Sequence, residues 1–206
     1  MAAAPVNQVT VYGAAGAIVT VPYTGTANYA LAVQLASIIN AAYVSGTLSA
    51  FNTGGTPSGS GIVEQVNSVN GAITVAAGVN FLTDNAPGNT TVQGTANLSV
   101  LAGAYPLGST GSLTYYGAAG NGSIAAGTGN NLISLPVGAN YNVATGVGND
   151  TVYVGGNGTI DVGTGTNLVT TPINQPGISD VIWANGNQDS IILGNGSAVV
   201  GETGTN

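Results

Sequence analysis

From Leu113 onward the chain repeats itself with a short period, and that self-similarity restricts it to architectures made by stacking one small unit on the next. The units read LTYYGAAGNGSIAAGTGNN, LISLPVGANYNVATGVGND, TVYVGGNGTIDVGTGTN, a longer stretch from Leu168 to Asp189, and SIILGNGSAVVGETGTN. Gly120-Asn121-Gly122, Gly156-Asn157-Gly158 and Gly194-Asn195-Gly196 occupy one slot, while Gly127-Thr128-Gly129, Gly163-Thr164-Gly165 and Thr203-Gly204-Thr205 fall near another. Each unit is therefore strand, glycine turn, strand, glycine turn. Two short strands in roughly 18 residues make one coil of a β-solenoid. The expected fold is all-β, a β-roll or β-helix-like solenoid with a helical cap at its N-terminal end. A β-sandwich meets the same description of short strands and frequent turns, and the uneven unit containing Pro172 and Pro176 argues for it.

The pattern extends upstream through AITVAAGVNFLTDNAPGN from Ala72 and TTVQGTANLSVLAGAYPLGSTGS from Thr90. The start of the chain differs, which divides it into an N-terminal part, 1–61, and the repeats, 62–206. Val9 to Tyr12 and Ala17 to Pro22 read as strands, and Asn52 to Gly61 as a Gly/Ser-rich connector. Between them, Leu31, Leu35, Ile38, Ile39 and Ala42 recur at helical spacing and predict a helix over Asn28 to Val44. Thr26 or Asn28 would cap its start and Gly46 its end. Its polar face holds little beyond Gln34, Ser37 and Asn40, so it should be packed on both sides and cover the first rung, as terminal repeats require.

At the end of successive units one position carries Asn131, Asp150, Asn167, Asp189 and Asn206. Around it, Gly146-Val147-Gly148-Asn149-Asp150-Thr151-Val152 follows a G-x-G-x-D-x-U pattern. In this the chain resembles the RTX-like β-roll regions of bacterial type I-secreted surface or matrix proteins. The resemblance implies calcium shared between aspartates of successive turns, here Asp150 and Asp189. Gly127 to Ile133 and Gly163 to Val169 keep the glycines but place asparagine in the aspartate slot. Rungs stack about 4.8 Å apart, where neighbouring carboxylates repel, and asparagines in alternation with them can form hydrogen-bonded ladders along the axis. The turns thus read as largely metal-free, with no cofactor required. The Asn-x-Ser/Thr triplets at Asn89, Asn97, Asn121, Asn149, Asn157 and Asn195 read as turn chemistry ahead of glycan acceptors.

The side chains charged at neutral pH among the 206 residues are seven carboxylates, Glu64, Asp84, Asp150, Asp161, Asp180, Asp189 and Glu202, with no lysine, arginine or histidine. Nucleic-acid binding needs cations to displace counterions, and anionic membranes and phosphoryl transfer need them too. Without histidine or cysteine there is no catalytic triad and no typical zinc site. No apolar stretch is long enough to span a membrane, and Met1-Ala2-Ala3-Ala4-Pro5 lacks the features of a secretory signal. A chain without tryptic sites suits an extracellular or cell-surface setting of bacterial origin.

Three kinds of function remain. The first is a structural protein that self-assembles head-to-tail into filaments, a matrix or a surface layer. Its strand edges carry no protective lysine, and its assembly surfaces would be Val9, Val11, Tyr12 and Ile18 at one end and Ile191, Leu193, Val199 and Val200 at the other. VTVYGAAGAI near the N-terminus echoes LTYYGAAGNGSI around Tyr115, as a rung-completing strand or as an ordinary first rung would. The second is an adhesin domain, calcium-loaded or presenting tyrosines and threonines to carbohydrate. Ice-binding rows of Thr-x-Thr are missing, with only pairs such as Thr90-Thr91 and Thr170-Thr171. The third is a polysaccharide-cleaving β-helix using Asp150 with Asp161 or Asp180 with Asp189. The chain reads as a non-enzyme whose main partner is itself, with Trp183 a core or interface residue.

Overall fold

The computed structural model describes residues 7–13, 18–23, 25–51, 63–66, 71–75, 78–84, 88–102, 111–172, 175–186, 188–194 and 197–201. Strands β1 (Asn7–Tyr12) and β2 (Ile18–Tyr23) precede helix α1 (Gly25–Ser45). There follow β3 (Leu48–Phe51), β4 (Val63–Val66), β5 (Gly71–Thr74), β6 (Phe81–Asp84), β7 (Thr90–Gln93), β8 (Ser99–Ala102), β9 (Leu113–Tyr116) and β10 (Gly120–Ala126). The remaining strands are β11 (Leu132–Ser134), β12 (Ala139–Ala144), β13 (Thr151–Tyr153), β14 (Gly158–Val162), β15 (Leu168–Thr170), β16 (Asp180–Ala184), β17 (Ser190–Ile192) and β18 (Ala198–Gly201).

From β4 onward the chain alternates between two parallel sheets, and this makes the fold a β-solenoid rather than a sandwich. The nine-stranded sheet runs β3-β4-β6-β8-β10-β12-β14-β16-β18 and the seven-stranded sheet β5-β7-β9-β11-β13-β15-β17. Rung length varies around the expected period: Val143 pairs with Ile160, whereas Val100 pairs with Ile124. The long unit that suggested a sandwich keeps its register, and its extra residues, with Pro172 and Pro176, lie in the connection between β15 and β16.

Stacked apolar side chains fill the coil. Leu82, Val100, Ile124, Val143, Ile160 and Ile182 stand in register in the nine-stranded sheet. Facing them in the seven-stranded sheet are Ile73, Val92, Tyr115, Ile133, Val152 and Val169. All are buried in one core, each contributing on the order of 1.5–3 kcal/mol by leaving water. Tyr115 and Tyr141 are core residues too, their rings 6.5 Å apart. Gly122 shares a register position with Tyr141 and a Cβ there would meet its ring, which fits the Gly-Asn-Gly slot reading Ala139-Asn140-Tyr141 in the next unit: one large ring takes the interior space and its neighbour gives way. Asn195 and Gly196 lie outside the described residues.

The helix is longer than its periodicity suggests, starting at Gly25 upstream of both proposed caps. Its end follows expectation. Gly46 has φ +72°, its N–H donates to the Tyr43 carbonyl and that of Thr47 to the Ala42 carbonyl, a Schellman motif that satisfies the last turn. Ala32, Leu35, Ala36, Ile39 and Ala42 form its buried stripe, and they meet Phe81, Leu101 and Ala125. Those three lie at outward positions of β6, β8 and β10, so the helix covers the early rungs from the side. Val9, Val11 and Val19 of the hairpin join the same cluster, placing packed neighbours on two sides of α1 while Val33 and Val44 stay exposed.

One expectation is corrected here. The N-terminal segment is not an internal rung: β1 pairs antiparallel with β2, Val9 opposite Val21 and Val11 opposite Val19. The segment it echoes around Tyr115, β9, lies instead in the parallel seven-stranded sheet.

Candidate functional site

The position that ends each unit forms a buried column at one corner of the coil. Asn131, Asp150, Asn167 and Asp189 are all buried and lie one per rung just ahead of β11, β13, β15 and β17. Each side-chain oxygen accepts from the backbone N–H of the rung before it. Asn131 Oδ1 accepts from Leu113 N, Asp150 Oδ1 from Asn131 N and Asn167 Oδ1 from Asp150 N, each at 2.9 Å, and Asp189 Oδ1 from Asn167 N at 3.0 Å. The asparagine amides do a second job. Asn131 Nδ2 donates to Gly127 O and to Asp150 Oδ1, and Asn167 Nδ2 to Gly163 O and to Asp189 Oδ1. Each asparagine thus ties its own glycine turn to the carboxylate of the next rung. Asn206 lies outside the described residues.

Two exposed columns run the opposite way, and single-residue reading of the sequence missed them. Ser112 N donates to Asn89 Oδ1, Asn130 N to Ser112 Oγ, Asn149 N to Asn130 Oδ1 and Thr166 N to Asn149 Oδ1. At another turn Asn121 N donates to Asn97 Oδ1, Asn157 N to Asn140 Oδ1 and Ser179 N to Asn157 Oδ1. The recurrence of Asn-Asn, Asn-Asp and Thr-Asn at the unit ends carried the signal. The asparagines at 89, 97, 149 and 157 are therefore acceptors of a neighbouring rung's turn backbone, Asn121 accepts from the Asn140 amide, and Asn97 takes φ +61°.

Asp150 is the strained member of the buried column. Its Oδ2 is buried with no hydrogen-bond partner, at the place where Asn131 and Asn167 present an amide. Burial pushes its carboxyl above the usual range; the neighbouring Thr145 and Asn131 oppose that push and Asp189 adds to it. The slot does not fit calcium as it stands. Calcium takes about six to eight oxygens, whereas Asp150 Oδ1 is occupied by two donors and Asp189 receives Asn167 on Oδ1 and the Gly186 N–H on Oδ2. Among the described residues no group of three or more metal-ligating side chains converges.

The Asp150→Asn variant is therefore expected to be more stable than the wild type at neutral pH, by about 1–2 kcal/mol. It removes a buried charge and supplies an amide to the carbonyl four residues back. A folded-state carboxyl raised above its ordinary 3.8 stabilises the fold fully below that value, and the contribution is lost as pH rises through the folded pKa. Asp180, also raised by burial, acts in the same direction. Melting temperatures in EDTA from acid to neutral pH should fall with rising pH in the wild type and fall less in the variant. A variant less stable than wild type at neutral pH would show that the charge at this rung is favourable.

The carboxylate pairs considered for sugar chemistry are held in different hydrogen-bond sets: Asp150 by Asn131, Asp161 by Asn185, Asp180 by Ser197 and Asp189 by Asn167. Thr91, Thr114 and Thr151 share an outward column, but Leu132 and Leu168 interrupt it.

The assembly residues separate into two groups. Val9 and Val11 are half-buried against α1, Tyr12 stacks on Tyr43 at 5.8 Å, and Ile18 is exposed. Ile191, Leu193, Val199 and Val200 belong to the last described rung, where β17 and β18 are the outermost strands. Ile192 and Leu193 are exposed, as is Val199, whose register partner Ile182 is fully buried. No described helix is long and apolar enough to cross a membrane. Comparison with protein-family models, with characterised proteins and with solved structures gave no match.

Proposed function

We propose that this chain is a structural subunit that self-associates end to end, as a filament, matrix or surface-layer component outside a bacterial cell. The observation that carries the reading is the pair of complementary parallel edges. Among the described residues β17 and β18 have no partner on their outer sides, and neither do β5 and β3 at the opposite end of the same two sheets. A second copy placed with its β3 against β18 continues the nine-stranded sheet in the same direction. Such a contact is heterologous and does not close, so it propagates. The exposed Val199 of β18, in register with the buried Ile182, gains burial in it, and no lysine guards the edge. Kinship with RTX-like β-rolls belongs to the same proposal, resting on the solenoid and on Gly146 to Val152.

Negative-stain electron microscopy of the purified chain, in EDTA and in millimolar calcium, tests this. Filaments are expected in both, and Val199→Lys should shorten or abolish them by charging the β18 edge. Filaments only with calcium would favour the calcium-loaded β-roll adhesin. Dispersed monomers in both conditions would overturn self-assembly.

A further inference from the structure

We propose that the groove between α1 and the outward face of β12, β14 and β16 binds a neutral sugar ring of a glycan. Over β6, β8 and β10 the helix packs directly on the sheet through Phe81, Leu101 and Ala125. Farther along, the contact opens into a groove of about 260 Å³ lined by Leu31, Gln34, Asn142, Thr159, Asp161 and Trp183, among others. Its floor is set by register: Ala144, Asp161 and Trp183 form one outward column, with Asn142 and Thr159 in the next.

These residue types in one concavity match the needs of a polyol. A sugar ring presents an apolar C–H face and a rim of hydroxyls that both donate and accept. Trp183, 37% exposed, offers a flat apolar surface with a polar N–H at its edge. Asp161 accepts hydrogen bonds, and Asn185 Nδ2 holds its Oδ1 at 2.8 Å. Gln34 and Asn142 each supply a donor and an acceptor, and Thr159 adds a hydroxyl. The groove is smaller than the roughly 300–1,000 Å³ of drug-sized sites, so it takes about one ring.

Charge narrows the class further. The chain carries −7 and no cationic side chain, and Asp161 lines the groove, so phosphates, sulfates and uronates are repelled. A quaternary ammonium could use Trp183 and Asp161, but it would leave the two amides and the hydroxyl unused. A polyol engages all of them. Affinity per groove should be weak, about millimolar, and repetition of the site along an assembly would raise it by avidity.

Trp183 is the only tryptophan, beside nine tyrosines, so emission excited beyond the tyrosine absorption reports on this groove alone. The probes are glucose, galactose, mannose, N-acetylglucosamine and their short β-linked oligomers, with choline and inorganic phosphate alongside. A saturable change is expected with at least one sugar series, none with phosphate, and about tenfold weaker binding in Gln34→Ala and Asn142→Ala, both with wild-type circular dichroism. Three results would each overturn the assignment: no saturable response to any sugar, a response to choline alone, or undiminished sugar binding in both variants. None of these depends on whether filaments form.

Discussion

Replacing Asn167 by alanine is expected to lower the melting temperature by on the order of 10 °C. The side chain joins three rungs: its Oδ1 accepts from Asp150 N, and its Nδ2 donates to Gly163 O and Asp189 Oδ1, each at 2.9 Å. Alanine leaves Asp150 N and Gly163 O without this partner at a buried corner, and leaves Asp189 Oδ1 with only the backbone N–H of residue 167. Each orphaned group costs about 1–3 kcal/mol, and in a chain of this size 1 kcal/mol moves the melting point by roughly 2–4 °C. A second substitution separates the ladder from general packing. Asn167→Asp keeps the volume but sets three carboxylates on consecutive rungs, about 4.8 Å apart. It should destabilise in EDTA and be rescued by millimolar calcium, since the cation can then bridge like charges. Thermal melts of the three proteins decide the matter; an Asn167→Ala protein melting within a degree or two of wild type would show that the buried column is ornamental.

The ladder was legible before the fold was, for a physical reason. A solenoid places equivalent residues at a fixed short distance, so a position alternating between asparagine and aspartate reads as the spacing of charge along an axis. The two exposed columns rest on the same repetition, but their members change identity from Asn to Ser or Thr, and any of these oxygens can accept a backbone N–H. Strand positions followed from the glycines. Gly122 sits opposite Tyr141, and nothing local announces that a tyrosine in the repeat points into the core.

The helix and hairpin were harder to place. Periodicity found the buried stripe of α1 but not its partner, because Phe81, Leu101 and Ala125 belong to strands whose inward residues are apolar as well. An apolar residue on both faces of a strand is the signature of a covered sheet, and FLTD in β6 and SVLA in β8 carry it. The groove at Trp183 had no such signature. It arises where residues more than a hundred positions apart, Gln34 and Asp161 among them, come together once the helix lies across the rungs.

The second large effect is expected at Gly148, where alanine should cost at least about 3 kcal/mol. Gly129, Gly148 and Gly165 have φ of +112°, +155° and +150° at equivalent turns of successive rungs. A Cβ on Gly148 would drive into the carbonyl oxygen of Gly129, and one on Gly165 into that of Gly148. The backbone has little freedom to yield, because Gly129 N donates to Val147 O at 2.9 Å and Gly148 N to Thr164 O at 3.0 Å. Moving the turn to admit a methyl group would stretch the hydrogen bonds on both sides of the rung. Gly177 supplies the control, with φ +84° and nothing within 4 Å of a Cβ placed there. Gly177→Ala should cost only the left-handed backbone penalty, about 1–2 kcal/mol, so the excess in Gly148→Ala combines steric contact between rungs with the more restricted φ of +155°. Denaturant titration of both proteins measures it directly. Equal costs would mean that the turns are not stacked backbone on backbone, and the register that aligns Asn131, Asp150, Asn167 and Asp189 would fall with them.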